Sequence, residues 1–137
     1  MRSILTSLLL LVASVVTVNA DTRTFIISKG ETVIISRPHG WEKRRGKCEL
    51  LPAVPSVSPA PALGVLQIAQ KQYGIGEGAP GHQQKFGRKD NSCDGVLGVG
   101  PEVTYKAGSK SGSDTFRLKA RFAGGQSHSV KFIMVIE

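Results

Sequence analysis

The sequence predicts an all-β fold, and three observations carry that prediction. Three C-terminal segments alternate between apolar and polar residues with the two-residue period of a strand. No segment holds a persuasive helical period. The four prolines between Leu51 and Pro61 favour extended chain over helix.

From the N-terminus, Arg2 is followed by the apolar run from Ile4 to Val18 and by the small-residue ending Val18-Asn19-Ala20, the pattern of a cleaved signal peptide spanning residues 1–20. That run is too short for a membrane span, and no other hydrophobic run approaches it. The expected product is a secreted or periplasmic chain beginning at Asp21, with residues 21–137 forming one domain. Loss of Arg2 with the leader lowers the formal charge from +8 to +7. So basic a chain favours anionic partners: anionic polysaccharide or another envelope component, phospholipid headgroups, or nucleic acid. A protein partner stays open as well. Cys48 and Cys93 are the only cysteines, and in an oxidising compartment the default expectation is that they form a disulfide.

In "TFIISKGETVIISRP" (24–38), two β-branched runs flank Lys29-Gly30-Glu31, giving a strand, a turn and a second strand. Residues 39–101 read as irregular. "WEKRRGK" (41–47) is expected to be a charged loop, and the four prolines of "LPAVPSVSPAP" (51–61) favour extended, unpaired chain. "LGVLQIAQKQYG" (63–74) has the composition of a strand ending at Gly74 or of a short helix, and the glycines on both sides favour the strand; "GVLGV" (95–99) reads as a short strand, with long loops between them. A Cys48–Cys93 bridge clamps that region. Then "EVTYKAG", "DTFRLKARFA" and "SVKFIMVI" alternate in turn. A three-residue loop, Gly124-Gly125-Gln126, keeps Lys131 out of the core by opposing Phe116 to Met134, Leu118 to Phe132 and Ala120 to Val130. The outer side then sets Arg117 opposite Ile133, Lys119 opposite Lys131 and Arg121 opposite Ser129.

"VTYKAGSKSGSDTFRLKARF", with its Gly-x-Asp-x-Phe corner, alternating strand, glycine turn and closing apolar strand, resembles the final third of bacterial immunoglobulin-like or cadherin-like sandwich domains of exported proteins. The resemblance covers about residues 95–136. It implies an immunoglobulin-like antiparallel β-sandwich, here with long loops and one disulfide, in which Gly112, Asp114 and Phe116 shape a corner between sheets. The residues agree: an Asp carboxylate can accept backbone N–H bonds in the turn while Phe116 enters the core.

Catalytic and metal-binding patterns are weak. "DNSCDG" (90–95) opens like a calcium loop, but its twelfth position is Pro101 and no flanking helices are expected, so it reads as a polar turn carrying Cys93. His39, His82 and His128 are far apart and read as exposed loop residues. No Ser stands in Gly-x-Ser-x-Gly, and "YGIGEGAPG" (73–81) lacks the Lys-Ser/Thr of a phosphate loop. No cofactor and no metal site is therefore expected. What remains is a basic surface: the sheet row Arg117, Lys119, Arg121 and Lys131, with Lys43, Arg44, Arg45 and Lys47 as a possible extension. Trp41 reads either as core packing or as an exposed anchor for a partner. The leading functional expectation is a non-catalytic binding or envelope-associated module. The alternatives are a small secreted enzyme or enzyme inhibitor with its active residues in the 73–101 loops, and a structural subunit of a surface assembly.

Overall fold

The computed structural model describes residues 22–79 and 91–137. The leader expected at 1–20, with the start at Asp21, lies outside these residues, as do His82 and Asp90. Nine strands and no helix make up the described chain: β1 (Thr22–Ile27), β2 (Thr32–Ser36), β3 (His39–Arg44), β4 (Lys47–Pro52), β5 (Val54–Ser58), β6 (Gly64–Gly74), β7 (Leu97–Ala107), β8 (Gly112–Arg121) and β9 (Ser127–Ile136). They form a four-stranded sheet in the order β1-β9-β8-β5, a three-stranded sheet in the order β2-β7-β6, and the β3-β4 hairpin. The result is an all-β sandwich, antiparallel except that β1 runs parallel to β9.

The two larger sheets meet through their alternating apolar rows. Phe116, Leu118, Val130, Phe132, Met134 and Ile136 come from one sheet, and Ile35, Val103, Tyr105 and Ala107 from the other. Four rings run through this core: Tyr105 stacks on Phe116 with centroids 5.9 Å apart, Phe116 on Phe132 at 5.5 Å, and Phe132 on Phe25 at 6.1 Å. The two β-branched runs near the N-terminus, though joined by a tight turn, enter different sheets. One adds to β9 and the other to β7.

Three expectations for residues 39–101 are corrected. The charged run at 41–47 is a β-hairpin. Its turn residues Arg45 and Gly46 both have positive φ, 51° and 78°, as a two-residue turn matched to strand twist requires. The proline-rich stretch is not unpaired, because β5 joins β8, with Pro55 opposite Ala120. An edge strand tolerates the missing proline N–H on its free side. Residues 95–99 and 102–108 are not two strands; β7 runs unbroken through Pro101, which lies beyond the last β2 partner, Val103.

The β8–β9 register is also corrected, by two residues. Phe116 faces Phe132, Leu118 faces Val130 and Ala120 faces His128. The loop closes one residue earlier on each side, with Phe122 N–H donating to Gln126 O at 2.8 Å, which leaves Ala123-Gly124-Gly125 as the loop. Gly125 takes the left-handed position, φ 86°. A three-residue loop needs that conformation at its third place, where the expected register had Gln126. Because the shift is even, every side chain keeps its face: Phe116, Leu118, Phe132 and Met134 are buried while Arg117, Lys119 and Arg121 are exposed and Lys131 is half-buried.

A second, smaller core of Leu50, Tyr73, Ile75 and Cys93, with Trp41 and Cys48 against it, binds the hairpin to the three-stranded sheet. Gly98 makes room there, since a Cβ on it would collide with Leu50. Cys48 and Cys93 form the disulfide. In the chain-entropy account, a link across 45 residues stabilises by roughly 4 kcal/mol.

Asp114 is buried, and it accepts hydrogen bonds from the backbone N–H groups of Ala62 (2.7 Å), Leu63 (2.9 Å) and Gly64 (3.1 Å) and from the Tyr105 hydroxyl (2.8 Å). Its backbone partners lie at the end of the β5–β6 connection and on the first residue of β6, about fifty residues away in sequence, rather than in its own turn as expected. Asp114→Ala would orphan four donors. At about 1–3 kcal/mol for each buried group left unsatisfied, partly relieved by entering water, we expect a loss of about 3–5 kcal/mol in chemical denaturation. A loss below about 1 kcal/mol would contradict this role.

Both tyrosines of the chain are buried. Burial pushes the Tyr73 phenol up to about 12, against a downward pull from Arg37 and with a smaller upward push from Glu102. Burial also raises Tyr105, helped by its hydrogen bond to Asp114. Both folded-state values exceed the ~10 of an exposed phenol, so their contribution to stability is complete below pH ~10 and declines as pH rises towards 12. Spectrophotometric titration should show no tyrosinate near pH 10, and its appearance at higher pH should coincide with unfolding.

Candidate anion-binding face

The outward side of the four-stranded sheet is built residue by residue from the alternation that fills the core. On β8 the outward residues are Ser113, Thr115, Arg117, Lys119 and Arg121; on β9 they are Ser127, Ser129, Lys131, Ile133 and Val135. β5 contributes Val54, Ser56 and Ser58, and β1 contributes Thr22, Thr24 and Ile26. The register gives cross-strand rows: Ser58, Arg117, Lys131 and Thr22 in one, Ser56, Lys119 and Ser129 in the next, and Val54, Arg121 and Ser127 in the third. Successive cations on β8 stand ~7 Å apart.

Two properties of this face decide what it can do. Among the described residues it carries four cations and no carboxylate, so nothing on the sheet neutralises the row. The ion pairs seen elsewhere are Arg37 with Glu102 at 3.0 Å and Arg44 with Glu42 at 3.5 Å, neither on this face. Around the cations stand mostly serine and threonine hydroxyls, short donors and acceptors suited to polar ligands. The corrected register also moves the like-charge contact: Arg117, not Lys119, faces Lys131.

The proposed extension lies on another sheet. Lys43, Arg44, Arg45 and Lys47 ride on the β3–β4 hairpin, where Lys43 Nζ donates to Ser92 Oγ at 3.3 Å. Trp41, on the same hairpin, is half-buried against the second core. Of the corner residues, Gly112 opens β8 with φ 145°, and Phe116 is fully buried.

His39 is not an exposed loop residue. It is half-buried in β3, its Nδ1–H donates to Arg37 O at 2.7 Å, and its Nε2 accepts the Gly76 N–H at 3.0 Å, which fixes one neutral tautomer. The described part of "DNSCDG" is a turn in which Asp94 N–H donates to Asn91 O at 3.1 Å. No group of three potential ligands suits a metal ion among the described residues. Of the 73–101 segment, residues 74–77 close on Glu77, whose carboxylate accepts the Gly74 N–H at 3.1 Å.

No family model, curated protein or solved structure matches the chain. No helix among the described residues is long and apolar enough to cross a membrane.

Directly opposed like charges on a sheet destabilise it, by about 0.2–1 kcal/mol. Lys131→Glu should therefore raise stability by that order in low salt, with a smaller gain in high salt. In an Arg117→Ser background the gain should vanish, and in a Lys119→Ser background it should persist. The reverse pattern would restore the register expected from sequence.

Proposed function

We propose that this protein is an exported, non-catalytic binding module of immunoglobulin-like architecture whose four-stranded sheet meets an anionic polymer, with acidic polysaccharide of the cell envelope as the preferred class. One observation carries the reading: Arg117, Lys119, Arg121 and Lys131 share a sheet face without a carboxylate, set among serines and threonines. Regular spacing along β8 suits a chain of repeated negative charges better than a small molecule. The hydroxyls suit a partner rich in hydroxyls itself. A Cys48–Cys93 disulfide supports an oxidising compartment, in keeping with the leader-like sequence at 1–20.

A second reading, as a subunit of a surface assembly, has its own support. β6 is an edge strand of eleven residues, continuously registered with β7, and contains no proline and one charge, Lys71. The other edges of the two larger sheets are shorter: β1 has six residues, β5 holds Pro55, and the register of β2 shifts between Ile34 and Ser36. A long, unguarded edge is suited to strand addition.

Replacing Arg117, Lys119 and Arg121 together by Ser removes three charges from the solvent side and leaves the core row intact. Binding of heparin, as a probe polyanion, should weaken, and the slope of log affinity against log salt should fall by roughly two to three, by analogy with ~0.7–0.9 per neutralised phosphate. Unchanged affinity in the folded triple variant would reduce the row to a solvated face. Stable self-association untouched by these replacements would favour the assembly reading.

A further inference from the structure

Arg23 breaks the pattern of its strand. On β1, residues 23, 25 and 27 share the core-facing side. Phe25 and Ile27 pack into the main core, and the β9 partners of all three, Phe132, Met134 and Ile136, are buried. An arginine in that row starts from a place where an ionised group is costly unless paired. Arg23 is half-buried, and burial pulls its pKa below the ordinary value. No carboxylate pairs with it among the described residues.

At this end of the sandwich, Arg23 lines a cavity of about 60 Å³. Leu118, Val130 and Phe132 give it apolar walls, while Arg37 and His128 add basic groups, and none of the described lining residues is acidic. Arg37 is already committed, donating from Nε to Glu102 and from Nη1 to Gly78 O at 3.1 Å. His39 also lines the space, but both its ring nitrogens are engaged with the backbone. The guanidinium of Arg23 is thus the planar fork left to receive an anion. That space is several times the ~10–15 Å³ that a single water needs, enough for a carboxylate with a tail of one or two carbons.

We propose that this cavity binds a short-chain monocarboxylate, its two oxygens held by the Arg23 guanidinium and its alkyl end against Leu118, Val130 and Phe132. A guanidinium fork matches a carboxylate bidentately. The apolar walls favour a carbon tail over a fully hydrated inorganic ion. This site is separate from the outer row, on the other side of the same sheet.

The test is an amide chemical-shift titration of the isotope-labelled, disulfide-intact protein with acetate and propionate, at constant pH and ionic strength set with chloride. Saturable shifts are expected at Gly76, Gly78, Leu118 and Val130. Arg23→Met should weaken binding at least tenfold and, having removed an unpaired charge, should melt no lower than the native protein in carboxylate-free buffer. Arg23→Lys, which keeps the charge without the fork, should bind in between. Ala120→Leu fills the cavity with Arg23 intact and should abolish the shifts; Ala120 also lines it. The Arg117, Lys119 and Arg121 triple replacement should leave them unchanged, so failure here and failure of the polyanion reading are separable. Shifts that stay linear, that persist in Arg23→Met, or that chloride or phosphate reproduces equally would overturn the proposal and leave Arg23 extending to solvent.

Discussion

The buried carboxylate of Asp114 is the constraint on which the sandwich turns. It sits on β8 in the four-stranded sheet, takes its backbone donors from the chain entering β6, and takes the Tyr105 hydroxyl from β7. One side chain therefore ties both sheets and the connection between them. Charged acceptors form the stronger class of hydrogen bond, and four donors meet the cost of burying this one. The aromatic stack begins at the same place: Tyr105, held by Asp114, lies on Phe116, two residues along β8. Position and packing reinforce one another there.

The second core has a different logic. A two-stranded hairpin is marginal by itself, and β3–β4 is held because Leu50 and Trp41 have an apolar surface to cover and because Cys48 is bonded to Cys93. His39, at the base of the hairpin, links it to the Gly76 turn, and Arg37 lies over the Tyr73 ring at 5.6 Å while pairing with Glu102. Polar and apolar contacts thus converge on the segment that follows β6.

The basic face inherits its order from the core. Once Phe116, Leu118 and Ala120 must point inward, Arg117, Lys119 and Arg121 can only point outward, at the spacing the pleat imposes. What the core does not impose is the absence of acid around them or the serines and threonines on the neighbouring strands. Those features are independent of packing. The inner row holds the converse case in Arg23, a cation where packing alone would call for an apolar residue.

Much of this was legible in the chain. Period-two alternation identified the last strands and assigned every residue of β8 and β9 to its face, because that assignment survives any even shift of register. The pairing of two lone cysteines followed from their number and expected compartment. The register itself hinged on which loop residue takes the left-handed conformation; Gly125 carries that information, and the sequence could have been read so. The hairpin at 39–52 also had a signal, Arg45-Gly46 between alternating rows, but its high charge masked it. Other features had no local signature. That β1 adds parallel to β9 while β2 joins the other sheet, that Pro55 lies at an edge, and that Asp114 finds its partners in a distant connection all depend on which chain segments meet in space. Local propensity constrains backbone conformation and side-chain face, whereas long-range pairing is decided by how two apolar surfaces close over one another and by which buried polar groups must then be satisfied.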